Sequence, residues 1–298
     1  MGARCRLVPA GTDEEGDEEL VEDIRNVSPD EHWVQFEKAW TTLLTYRYLG
    51  KVNPGLDAGV ERETMPIRHD MRNSTGGIMA APLCIACPEP WWNDDECVPA
   101  PVVMSYEILD PARDVRQVVV SRDVIHLGRK MGFSRSRIAD ADDPERLVAV
   151  STGTGVSLGD VPDGYEKVDN PPVPVEDSPS LPPLHLVFGA TQGADGLWRL
   201  PPLQAEMSAP HAALHLGPIN IVLERAAMDR VAEHAGTDAL QVESWTVMMV
   251  RPGTVGPFRA AGEVMTGRSE RLPVQLTLHD EGNGDRVIAT AVAIYRRV

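Results

Sequence analysis

The chain has 298 residues, of which 42% are hydrophobic and 24% charged, enough to bury one large core or two ordinary ones. Its formal net charge of −17 repels polyanions, which argues against nucleic acid as a partner. No run of about 18 apolar residues occurs, so no membrane span is expected.

The N-terminus (residues 1–30) reads as an acidic flexible tail. Asp13 to Asp23 holds eight acids and no base. The start lacks an apolar segment of the secretory kind, and Arg6 stands where a myristoylation signal needs Ser or Thr. Four cysteines (Cys5, Cys84, Cys87 and Cys97) are too few for a disulfide scaffold in a chain of this length. Cys84 and Cys87 have the spacing of half a zinc site, but no matching pair follows, so they read as small core residues and no metal is expected. A cytoplasmic location is the expectation.

The first half (31–158) is predicted to open with a strand near Gly59–Arg68. A loop, Asn73-Ser-Thr-Gly-Gly77, then leads into an apolar helix from about Gly77 to Cys87. Trp91 and Trp92 follow as a packed loop. Long β-branched runs come next, ending in Arg146 to Leu158. Residues 159–183 carry prolines at a density that neither helices nor central strands accept, so they read as a linker. The second half (184–298) repeats the order. A strand is expected near Leu197–Glu206, a helix over Pro218–Ala235, and strands near Leu240–Val250, Arg259–Thr266, Val274–Leu278 and Val287–Arg296. Asp280 to Asp285 has the composition of a hairpin turn.

Landmarks keep one spacing across the linker. Arg146 and Arg286 open similar strands (286 − 146 = 140), Pro111 and Pro252 mark similar turns (252 − 111 = 141), and Gly76 and Gly217 precede the helices (217 − 76 = 141). This pattern is that of an internal duplication. One helix among consecutive antiparallel strands in each half gives an α+β class with the helix on one sheet face.

The segment His215 to Glu224 (HLGPINIVLE) carries the candidate chemistry. Gly217 and Pro218 suit a helix start, and Glu224 lies about two turns further along, within an apolar stretch where an unpaired acid is costly. A backbone N–H at Gly217 is placed to bind a carbonyl oxygen that becomes an oxyanion, and Glu224 to act as base or nucleophile.

A glycine-marked, His-containing loop opening a helix with an acid two turns in resembles the hotdog-fold acyl-CoA thioesterases of the phenylacetate-pathway and 4-hydroxybenzoyl-CoA kinds. Val250-Arg-Pro-Gly-Thr254 and the Asn73 to Gly77 loop are similar to motifs of that superfamily. The resemblance implies a double hotdog, two fused domains each with a central helix wrapped by an antiparallel sheet. It implies an acyl-CoA (thioester) hydrolase whose single site lies between the halves, because counting seven from Gly76 or Gly77 gives Leu83 or Cys84 and no acid. The implied catalytic set is Glu224, Gly217, His215 and Asn73, with Gly76, Gly77 and His69 contacting the substrate. CoA enters as part of the substrate, with no separate cofactor. Arg129, Lys130 and Arg268 are candidate phosphate contacts, and homo-oligomers of such units are compatible with the resemblance. Two other readings stand beside it: a dehydratase or hydratase of 3-hydroxyacyl or enoyl thioesters, in which His69 is essential, and a non-catalytic acyl-ligand binder.

Overall fold

A computed structural model describes residues 43–54, 61–87, 97–160, 175–265 and 270–298. The acidic tail, Trp91, Trp92, Cys5 and Arg268 lie outside these residues. Helix α1 spans Leu44–Leu49 and ends at Gly50 in the left-handed conformation. Strand β1 (Glu63–Pro66) precedes a short 3-10 turn, helix α2 (Ala80–Ala86) and four long strands. These are β2 (Cys97–Ile108), β3 (Gln117–Leu127), β4 (Met131–Asp140) and β5 (Leu147–Asp160). The chain continues through α3 (Leu184–Val187), β6 (Thr191–Gln192), β7 (Trp198–Leu200) and a small hairpin of β8 (Ser208–Ala209) and β9 (Ala213–Leu214). Then come helix α4 (Leu216–Ala235) and strands β10 (Leu240–Met249), β11 (Phe258–Val264), β12 (Leu272–Asp280) and β13 (Arg286–Arg297).

Eleven strands form one antiparallel sheet in the order β1-β3-β4-β5-β2-β10-β13-β12-β11-β7-β6. Outward from the β2–β10 junction, the order reads the same on both sides through five strands. The registers repeat as well. Tyr106 pairs with Ser151 and Val247 with Ala291, while Val118 pairs with Asp140 and Phe258 with Asp280. Even the irregularity between Pro101 and Val103 has its counterpart between Val242 and Ser244.

The helices do not keep the strand spacing. Met79 and His215 are the residues before α2 and α4, and their amides donate to the Met71 and Met207 carbonyls, respectively. Both intervals (215 − 79 and 207 − 71) are 136. The match of Gly76 with Gly217 is therefore a coincidence of spacing, and the structural counterpart of Gly217 is Ala81. The expected start of the first helix at Gly77 is corrected to Ala80, because Asn73 to Gly77 is held in a turn. There Gly76 has φ +81°, a conformation that glycine adopts without strain. The expected strand Leu197–Glu206 is cut to Trp198–Leu200, since Pro201 and Pro202 offer no amide hydrogens to the ladder.

Helix α4 is buried along most of its length, with Val222, Leu223, Ala227 and Val231 fully enclosed. It packs across the inner sheet face and against α2, whose seven residues are all buried. Asn220, wholly buried on α4, accepts a hydrogen bond from the indole of Trp245 at 2.9 Å and donates to the Leu216 carbonyl. Both polar groups are thereby satisfied inside the core.

Candidate functional site

Glu224 is 2% exposed and reaches out of α4 to the start of α2. Its Oε1 accepts the Ala80 N–H at 2.6 Å and its Oε2 the Ala81 N–H at 2.7 Å. The next residue is Pro82, which carries no N–H, and Met79 supplies no side-chain cap. A helix start needs acceptors for its first amides. Here they come from an acid 144 residues along the chain. Burial pushes the Glu224 carboxyl up to about 7, against the lowering effect of the two amide donors. A carboxyl poised near neutrality suits proton transfer at physiological pH.

Glu224 lies on a cavity of about 530 Å³. Its apolar wall includes Met79, Ile221, Met228, Leu240 and Val242, joined by Leu181 and Leu184 from the segment before and within α3. The ring of Tyr295 on β13 closes another part of the wall. His69, Ser74 and Asp238 are exposed lining residues that mark its rim. The end of the expected linker thus contributes directly, with Pro179, Leu181 and Pro183 lining the space and Asp177 accepting the His69 amide at 2.6 Å.

Asn73 lies on the same cavity. Its Oδ1 accepts hydrogen bonds from the Thr75 amide (2.9 Å), the Thr75 hydroxyl (2.7 Å) and the Gly77 amide (3.1 Å). Its Nδ2 donates to Gln241 Oε1 at 3.3 Å, tying the loop to β10. A Cβ at Gly77 would lie 2.0 Å from the Gln241 Oε1, so any larger residue there would displace the Gln241 side chain. Asn73 and Gly77 therefore shape the loop at the cavity wall. Next to His69, Asp70 is locked in a buried pair with Arg68, with contacts of 3.2 and 3.1 Å.

The structure separates Gly217 and His215 from Glu224. Neither lines the cavity, and the Gly217 amide donates to His215 Nδ1 at 3.4 Å. A Cβ on Gly217 would meet the Thr45 side chain of α1 at 2.4 Å, so α1 covers the start of α4. His215 is buried, stands edge-on to Tyr46 at 5.5 Å and is pushed down to about 3 by burial and by Lys51 and His211. Nearby, Glu63 bridges Lys51 at 2.7 Å and Arg122 at 2.6 Å inside the protein. The expected pairing of Glu224 with the Gly217 amide is thus corrected. A helix carries its own N-terminal donors about 10 Å from an acid two turns on, and the acid instead meets the start of the other helix.

Counting back 136 from Glu224 gives Pro88, which lies outside the described residues, so the counterpart position carries no acid. Arg129 and Lys130 sit exposed at the β3–β4 turn and do not line the cavity. Cys84 and Cys87 are buried free thiols, Cys87 Sγ lying 3.4 Å from the Ser151 hydroxyl. Among the described residues, no helix is long and apolar enough to cross a membrane.

Sequence reasoning missed two features, the Ala80 and Ala81 amides and Tyr295. Small residues at a helix start carry no chemical signal. Tyr295 had one, as the large polar-tipped residue after Ala289, Ala291 and Ala293 on one strand face.

No protein-family model matches the chain, and no curated protein matches it. Solved structures do. The tesB protein of Mycobacterium avium subs paratuberculosis superposes with a TM-score of 0.56 at 11% identity, over 88% of this chain and 98% of that one. A conserved hot dog fold protein of unknown function from Alicyclobacillus acidocaldarius gives 0.57 at 10%, over 85% and 97%. An acyl-CoA thioesterase II from Mycobacterium marinum gives 0.54 at 10%, again over 85% and 97%. At these identities the likeness is one of architecture: the chain has the hotdog fold.

Proposed function

We propose that this protein is a double hotdog that hydrolyses acyl-CoA or a related thioester at one site between its halves, with Glu224 as general base. The observation carrying this is a buried carboxyl of raised pKa on a largely apolar cavity, contributed by α4 and set against the start of α2. The mirrored strand order supports two fused domains, and the solved thioesterases of the same fold support the reaction class. Glu224 takes a proton from water as its oxygen attacks the thioester carbonyl. The tetrahedral adduct then collapses, the C–S bond breaks, and the proton passes from Glu224 to the departing sulfur. Asn73 and Gly77 act by holding the loop, and His69 sits at the rim where the substrate enters.

The test is thiol release from a panel of aliphatic and aromatic acyl-CoAs. Glu224→Gln is expected to lower kcat by about 10²–10⁴-fold, the usual contribution of a positioned general base. Wild-type protein that releases no thiol from any member overturns the hydrolase reading.

One observation favours a second reading, a non-catalytic acyl binder: Glu224 holds both amides of the α2 start, leaving neither free for an oxyanion. Tight acyl-CoA binding without turnover is its signature.

A further inference from the structure

Because the two α2 amides are engaged by Glu224, the donor that a thioester carbonyl needs must come from elsewhere on the cavity. Several of the other lining donors are already committed. Arg72 donates to the Gly76, Ala112 and Val115 carbonyls, Asn73 donates to Gln241, and Ser74 donates to the Asp238 carbonyl. Arg225 pairs with Asp229 through a terminal nitrogen and lies over the Trp198 ring, while its Nε, like the Tyr295 hydroxyl, has no partner among the described residues.

Tyr295 differs. Its residue is 2% exposed, and its hydroxyl has no hydrogen-bond partner among the described residues, although it lines the same cavity as Glu224. A buried hydroxyl without a partner costs roughly 1–3 kcal/mol, which a hydrophobic residue of the same shape would not incur. On the same strand Ala289, Ala291 and Ala293 are buried apolar residues that do not line the cavity, so Tyr295 brings the polar group of β13 to it. The register assigns Tyr295 a counterpart. Val242 pairs with Tyr295 beside one strand irregularity, and Pro101 pairs with Gly155 beside the matching one. The phenol, like the acid, thus belongs to one half alone, and the two meet at one cavity.

We propose that the Tyr295 hydroxyl is the hydrogen-bond donor for the acyl carbonyl oxygen of a thioester bound in this cavity. The assignment rests on reading the cavity as a thioester site. As water adds to the carbonyl carbon, the C=O electron pair moves onto oxygen, and the Tyr295 O–H strengthens its hydrogen bond to that oxygen without transferring its proton. Burial and the neighbouring Glu224 charge hold the phenol well above its ordinary pKa, so it remains protonated.

The experiment compares full-length wild type and Tyr295→Phe in two assays. In the first, acyl-CoA turnover is expected to fall about 10²–10³-fold in kcat, the usual loss on removing one oxyanion donor. In the second, binding is measured for two non-hydrolysable analogues: a ketone with CH₂ replacing the thioester sulfur, and an S-alkyl-CoA that lacks the carbonyl. The substitution is expected to weaken the ketone at least tenfold and leave the alkyl analogue unchanged. It is also expected to abolish the downshift of the bound ketone's carbonyl stretch. Loss of both analogues together, or of neither, overturns the proposal. Should wild type bind the analogues but release no thiol, the hydrolase reading falls while the ketone comparison still decides the role of Tyr295. The folding control is favourable, since removing an unpartnered hydroxyl should leave Tm unchanged or raise it.

Discussion

The hydroxyls of Ser105 and Thr246 lie 3.0 Å apart across the β2–β10 junction, and the two residues are direct register partners. They are separated by 141 residues, the same interval that relates Pro111 to Pro252. A residue that pairs with its own duplicate marks a local two-fold axis, so this contact is the centre of the repeat. Thr246→Val is expected to cost about 1 kcal/mol, the net worth of one hydrogen bond. Ser105→Ala combined with Thr246→Val should cost little more than either alone. Urea unfolding of the four proteins measures this, and fully additive costs would show that the hydroxyls are not coupled.

Glu224 makes stability pH-dependent in an unusual direction. Its folded pKa of about 7 lies above the ordinary carboxylate value of 4.5, so well below pH 4.5 the carboxyl is protonated in both states and carries no penalty. As pH rises through about 7, the unfolded chain has already released this proton and the folded state is disfavoured, by about 3 kcal/mol once the titration is complete. The difference in unfolding free energy between wild type and Glu224→Gln, measured from pH 4 to 8.5, should fall across this window. Turnover should rise across it, because only the ionised form accepts a proton from water.

Glu63 has the opposite sign. Burial alone would raise its pKa, but Arg122 and Lys51 hold it down to about 2. Its stabilising contribution is therefore present above the ordinary carboxylate pKa and is lost as pH falls toward 2. Glu63→Gln leaves two buried cations facing a neutral amide and should cost roughly 3–5 kcal/mol at pH 7. Chemical denaturation at pH 7 reads this directly.

Gly217→Ala brings a methyl group against Thr45 and should cost about 1–3 kcal/mol by overpacking, with Thr45→Ala restoring part of the loss. Turnover per folded molecule should stay near wild type. A folded Gly217→Ala protein with collapsed turnover would return the α4 amide to the chemistry.

The long strands were legible from their extended runs between turn residues, and β10 to β13 lie within a few residues of their expected bounds. Helix α4 was legible from its Gly-Pro start and Gly236 stop. The partnership of Glu224 was not. Sequence spacing reports neighbours along one helix, whereas Ala80 and Ala81 meet this acid only through tertiary packing. The five-residue difference between the helix and strand intervals was hidden for a related reason. It falls between the start of α2 and β2, a span that is shorter than its counterpart from the start of α4 to β10, and the glycine coincidence masked it.

The start of α4, covered by Thr45 and flanked by His215, and the start of α2, capped by Glu224, are counterparts with different obligations. Substitutions around Thr45 and Gly217 are tested by whether the side chains still fit, so compensating changes of volume can drift there in pairs. Substitutions around Ala80 and Glu224 face a stricter filter, because the carboxyl must keep both its reach and its two amide donors. Two matching places in a mirrored sheet are thereby open to change on different terms.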